Sequence, residues 1–168
     1  MTTEKGSVER DRVYCEKSQI EIYRDLTGLS ESERKSARGA DVPPFKSLKD
    51  AFLMAVCLGV KIGKKTPLKQ RYELANVSTF NNQPDRAVLS GIAIADTGQV
   101  AILADQNEIL TIAEEYANTG FEELRHAVWG APLPLQNLVR LLLEDYEHHY
   151  PGASRNANHH NSAENVNI

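Results

Sequence analysis

"SLKDAFLMAVCLGV", residues 47–60, is the stretch on which the fold turns. Ser47 with Asp50 three positions later is a helix N-cap signature, because a serine oxygen can accept one of the orphan amides of a first turn. The residues that follow are apolar on nearly every side of a helix (Leu48, Phe52, Leu53, Met54, Val56, Leu58), which predicts a central, surrounded element running to about Val60. Its apolar run is about half of the roughly 20 residues a membrane span needs. Cys57 inside that run reads as a small core residue. Cys15 has no second cysteine nearby, so neither a disulfide framework nor a zinc knuckle is expected.

Outward from this helix the pattern stays helical. Downstream, "ADQNEILTIAEEYANTG" puts Ile109, Ile112, Ala113 and Tyr116 on one face, with Glu108, Glu114 and Glu115 mostly off it and Asn118–Gly120 as a terminator. "FEELRHAVW" predicts a further short helix, and residues 135–150 place Leu135, Leu138, Val139, Leu142 and Tyr146 on one stripe. Upstream, Ile22, Tyr23 and Leu26 recur at helical spacing before Gly28, and Ser30 with Glu33 opens a short charged helix to about Arg38. Residues 61–83 are irregular or hold one short strand around "YELANVSTF". Residues 84–104 stay open between a helix begun by Pro84 and Asp85 and a hairpin turned at "DTG".

The expected fold is therefore mainly α: a compact helical domain over residues 13–150, with one short β-hairpin at most. Residues 1–12 and 151–168 are too poor in apolar side chains to offset chain entropy and read as disordered tails. The start is charged where a signal peptide turns apolar, so a cytoplasmic location is expected.

The formal charge of −4 conceals a polarity along the chain. Residues 41–72 carry two acids and seven bases, whereas residues 73–168 carry thirteen acids and four bases. A basic middle attracts phosphate or an acidic protein surface, and an acidic C-terminal half is repelled by phosphate. The basic residues concentrate in "GVKIGKKTPLKQR", residues 59–71, which has five cations and no carboxylate. A Walker A loop needs four residues between its first glycine and the Gly-Lys pair, then Ser or Thr. Gly59 to Gly63 encloses three, and Lys65 stands where the hydroxyl belongs. What remains is a patch of Lys61, Lys64, Lys65, Lys69 and Arg71 for phosphates or an acidic partner, set against a loop that only keeps the surface soluble. Tyr72 and Phe80 are the nearby aromatics for stacking, and no base-reading helix is visible.

The remaining chemistry is sparse. His148–His149 and His159–His160 are adjacent pairs whose side chains diverge by about 100° on a helix. Glu122 and His126 have i, i+4 spacing without a third ligand, so no metal is expected. The sequence holds no Gly-x-Ser-x-Gly elbow, and its paired acids face different ways. Neither a cofactor nor catalysis is expected. Glu114, Glu115 and Trp129 are the candidate partner-binding residues, the tryptophan as a packing anchor or an interface hot spot.

Three segments, "FKSLKDAFLMAVCLGVKIGKKTPL", "AVLSGIAIADTGQVAIL" and "EEYANTGFEEL", together resemble the small proteins encoded beside bacterial DNA phosphorothioation (dnd) systems, a group named for its genomic neighbourhood. The resemblance spans roughly residues 45–124. It implies an anti-phage defence or DNA-modification setting, and no catalytic residue. By analogy it implies an accessory subunit contacting a larger ATPase or nuclease, with duplex DNA as a second candidate partner of the basic patch. A stand-alone DNA-binding regulator is the alternative.

Overall fold

The computed structural model describes residues 8–29, 43–80, 82–128 and 133–151. Strand β1 (Arg12–Glu16) leads through a 3-10 turn into the short helix α1 (Ile20–Asp25). Helix α2 (Leu48–Ile62), strand β2 (Arg71–Asn76) and a second 3-10 turn follow. Helices α3 (Gln83–Thr97), α4 (Gln106–Val128) and α5 (Pro134–His149) complete the order, with a 3-10 turn at Val100–Ala104. The mainly helical architecture expected from the sequence is the one observed. The charged helix expected at residues 30–38 lies outside the described residues, as do residues 1–7 and 152–168 of the expected tails.

Local rules set the helix ends. Ser47 Oγ accepts from the Asp50 amide at 3.2 Å and donates to the Asp50 carboxylate at 2.7 Å, fixing the start of α2. Gly63 ends it at φ 71°, a conformation that costs a residue with a Cβ and that glycine takes freely. The open choice over residues 84–104 resolves to a helix followed by a 3-10 turn. Asn82 caps the Asp85 amide at 2.9 Å, and Gly98 closes α3 in the left-handed region.

The strands are antiparallel, with Arg12 opposite Asn76, Cys15 opposite Tyr72 and Glu16 opposite Arg71. They are joined across most of the N-terminal half of the chain, so they are not the local hairpin that residues 84–104 offered. β1 alternates, burying Val13 and Cys15. The expected tail boundary at residue 12 falls within this structured region: β1 begins at Arg12, and Arg10 is bonded to α4.

Two sequence expectations are corrected by α2 and α4. The first concerns α2, which buries Ala51, Phe52, Ala55, Val56, Leu58 and Gly59 but exposes Cys57 and Val60, so it is not surrounded. The buried thiol is instead Cys15, whose pKa burial pushes up to about 12. The second concerns Asn118–Gly120, which does not end a helix: α4 runs unbroken through it. Gly120 is there because α2 crosses α4 at that point. A Cβ on Gly120 would lie 2.0 Å from the Ala55 carbonyl oxygen, and one on Gly59 would lie 2.0 Å from that of Tyr116. Two backbones can approach this closely only without side chains between them.

Around the crossing, Tyr23 of α1 packs on Phe121 with ring centroids 4.5 Å apart, and Phe52 meets Phe80 edge-on at 5.7 Å. Burying each such ring contributes about 2–3 kcal/mol. α5 is attached differently, with Leu138 its one fully buried residue among those described. No described helix is long and apolar enough to cross a membrane.

Candidate nucleic-acid or partner interface

The basic segment begins at the C-terminal end of α2 and is held down at several points. The Thr66 amide donates to the Glu115 carbonyl at 3.1 Å, and the Thr66 and Thr119 hydroxyls share a 2.8 Å hydrogen bond. Asn118 Nδ2 donates to the carbonyls of Thr66 at 3.0 Å and Pro67 at 3.3 Å. At its far end, the Glu16 carboxylate accepts from the amides of Lys69 at 2.7 Å and Gln70 at 2.9 Å. These bonds satisfy backbone groups that a solvated loop would leave to water.

Three of the five candidate cations are engaged within the chain. Lys61 Nζ lies 2.5 Å from the Asp145 carboxylate, joining the end of α2 to α5. That contact holds the Asp145 carboxyl below its ordinary range. Lys65 Nζ is 2.7 Å from Asp96 and 5.9 Å from the centroid of the Tyr116 ring, while the Tyr116 hydroxyl donates to the same carboxylate at 2.9 Å. Burial pushes the Asp96 carboxyl up, but the hydrogen bonds from Lys65 and Tyr116 outweigh it and leave the pKa lowered. The hydrogen bond to Asp96 raises that of Lys65.

Arg71 is the third engaged cation, and with it the expected acidic interface changes character. Glu114 is 1% exposed, in the face of α4 turned towards the strands, so it cannot meet a partner in this conformation. Its carboxylate accepts from the Tyr14 amide at 2.9 Å and from Arg10 at 3.2 Å, with Arg71 at 3.6 Å. Arg10 and Arg71 both lie over the Tyr14 ring, at 5.8 and 5.7 Å. Burial raises the Glu114 pKa, and the two guanidinium groups and the amide offset part of that shift. Glu115 is half-buried. Trp129 lies outside the described residues.

Lys64 and Lys69 are left exposed and, among the described residues, without a carboxylate partner. Tyr72 is exposed on β2, whereas Phe80 is buried and cannot stack on a base. Glu122 pairs with Arg125 at 2.7 Å rather than with His126. Among the described residues no group of three or more His, Cys, Asp or Glu is placed to hold a metal ion. A cleft lined by Val77, Phe80, Leu89, Ile109 and Leu110, with Arg86 beside it, has about 130 Å³. That is below the roughly 300 Å³ at which pockets for drug-sized ligands begin.

What sequence reading missed here is the set of partners. Asp96, Asp145 and Glu114 are far from the basic segment along the chain, and no local pattern pairs them with it.

A family model described as DNA sulphur modification system-associated protein 4 matches residues 18–160. The match is wider than the 45–124 span of the sequence resemblance. No curated protein and no solved structure matches the chain.

Proposed function

This chain belongs to the DNA sulphur modification system-associated protein 4 family, and we propose that within such a system it is a non-catalytic accessory subunit of a DNA-directed defence complex. Its partner in this reading is a larger ATPase or nuclease subunit, and the contact surface is the basic segment after α2. The observation that carries the choice of a protein partner is how few cations that segment leaves free. Lys61, Lys65 and Arg71 lie within ion-pair distance of carboxylates of the chain, and among the described residues only Lys64 and Lys69 of the segment have side chains without a carboxylate partner.

Two phosphate contacts give a salt slope of about −2, far shallower than the slope near −10 of a protein that holds duplex DNA mainly by charge. Two lysines on a loop pinned to α4 and β1 suit an acidic protein surface, where pre-organisation lowers the ordering cost of binding. DNA bound by the same two lysines is the second reading, favoured by the family's link to DNA modification.

The test is affinity capture of the tagged chain co-expressed with its genomic neighbours, with and without nuclease treatment. A large subunit retained after the DNA is digested supports the accessory role. Loss of every partner with the DNA moves the function to a stand-alone DNA-binding regulator. Lys64→Glu with Lys69→Glu should abolish capture in either case, and unchanged capture removes the basic segment from the interface.

A further inference from the structure

The outer face of α5 carries Leu135, Val139, Leu142, Leu143, Tyr146 and Tyr150, each 43–62% exposed. At 100° per residue these positions occupy an arc of about 100°. Leu138 and Leu141, which face the core, and Asp145, which Lys61 binds, follow on from the Leu142 edge of that arc, with Leu138 about 40° beyond it. The stripe therefore continues the core-facing side outward, and it is the part that the fold leaves exposed. Its last residue stays with it beyond the helix end, because Tyr150 packs on Tyr146 with centroids 5.1 Å apart.

The spacing of the stripe is symmetric. From Leu135 to Tyr150 the steps are four, three, one, three and four residues, so the pattern reads the same in both directions about a point between Leu142 and Leu143. A second α5 laid antiparallel on that point sets Leu135 opposite Tyr150, Val139 opposite Tyr146 and Leu142 opposite Leu143, each twice. Self-complementarity under a two-fold rotation is what an isologous interface requires. On the edge beyond Leu143, Arg140 and Glu147 lie side by side around the helix. In the antiparallel pair each Arg140, 3.9 Å from Glu144 of its own helix, also comes beside Glu147 of the other copy, where opposite charges favour the register.

The area also suffices. At no more than about 150–250 Å² per large side chain, complete cover of the exposed fractions gives at most roughly 600 Å² per copy and about 1,200 Å² for a pair. That reaches the roughly 1,200–2,000 Å² of stable interfaces before the flanking polar residues are counted. Residues 152–168, which follow α5 along the chain, offer Val166 and Ile168 as their only large apolar side chains.

We propose that α5 is a dimerisation helix, pairing antiparallel with the α5 of a second copy about a two-fold axis between Leu142 and Leu143. The interface is distinct from the basic segment and needs no other subunit, so it stands or falls apart from the accessory role. Sedimentation equilibrium of the purified full chain over about 1–100 µM should show a species of twice 18.7 kDa, with a dissociation constant in that range or below it. Leu143→Glu places two carboxylates at the axis and should weaken the dimer about a hundredfold or more, leaving the helical circular dichroism of the monomer intact. In a Cys57→Ser background, Leu142→Cys should oxidise to a covalent dimer, while Leu135→Cys, far from its own copy, should not. A single 18.7 kDa species at every concentration overturns the proposal and gives the stripe to another macromolecule. A dimer indifferent to Leu143→Glu overturns it as well, and crosslinking at 135 in preference to 142 overturns the antiparallel register.

Discussion

The crossing of α2 over α4 and the outer stripe of α5 are both apolar helix surfaces, and hydropathy alone does not tell them apart. At the crossing the chain places small residues, Ala51, Ala55 and Gly59 against Ala113, Ala117 and Gly120, all buried. On α5 it places leucines and tyrosines, and most of them face outward. Small side chains let two backbones meet and leave nothing to rearrange. Large ones at regular spacing can instead wait for another surface. Residue size as well as hydropathy thus separates the surface closed on folding from the surface left open.

The largest effect belongs to the crossing. Gly120→Val puts a branched side chain where even a Cβ lies 2.0 Å from the Ala55 carbonyl oxygen, and backbone there cannot step aside. The helices must separate, at a cost of about 4 kcal/mol or more, enough to unfold a domain of ordinary stability. Thermal unfolding should show no cooperative transition or one lowered by more than about 10 °C. A variant that melts like the parent would mean that the crossing is not as tight as the glycines imply.

Next comes the buried charge beside the same helix pair. Glu114→Ala strands Arg10 and the Tyr14 amide and should cost about 3 kcal/mol or more by urea titration. Glu114→Gln, which still accepts from that amide, should cost less. The sign with pH follows from the raised pKa. The folded chain holds a proton on Glu114 more tightly than the unfolded chain, so this group's contribution grows as pH falls through the folded pKa towards the ordinary value of 4.5. The stability gap between the parent and Glu114→Gln should therefore widen between pH 7 and pH 4.5.

The attachment of α5 sharpens the comparison within one helix. Leu138→Ala empties a buried site and should cost about 2 kcal/mol, while Leu142→Ser, half-exposed, should stay within about 0.5 kcal/mol for the monomer. Equal effects would mean that the helix is seated on a different face.

How much of this was legible in the sequence varied with the range of the cause. Ser47 with Asp50, and Gly28 as a stop, were readable because a cap is satisfied within a few residues. Asn118–Gly120 misled for the same reason. As a string it is a helix stop, and only the presence of α2 reveals that Gly120 is needed in mid-helix and that Asn118 tethers the basic segment. The α5 stripe was visible as a periodicity, but periodicity does not say which side the core takes. From sequence Glu114 reads as a surface residue because glutamate almost never buries unpaired, and its pair, Arg10, is at the other end of the chain. The basic segment is legible as a run of cations, and its ion pairs with Asp96 and Asp145 are not.

The smallest effects on stability are expected at that segment, where Lys65 and Lys64 can be compared directly. Lys65 is bound to Asp96, and both are charged from the ordinary carboxylate range to beyond pH 10. The lowered pKa of Asp96 means that its contribution is present above the unfolded value of 3.8 and is lost as pH falls through the folded one. The raised pKa of Lys65 means that its contribution persists past 10.5 and is lost as pH rises further. Because the Lys65 side chain is about one-third exposed, solvent screening should hold the cost of Asp96→Asn to about 1 kcal/mol or less, and nearly constant between those limits. Lys64→Glu, with no carboxylate partner to lose among the described residues, should leave the melting curve within about 0.5 kcal/mol of the parent at every pH. If Lys64→Glu and Asp96→Asn are equally silent in stability, the 2.7 Å ion pair contributes nothing measurable and Lys65 rejoins Lys64 and Lys69 as a free contact. If Asp96→Asn alone destabilises, the internal pairing competes with any partner, and only the lysines it leaves free can bind without breaking the fold's own contacts.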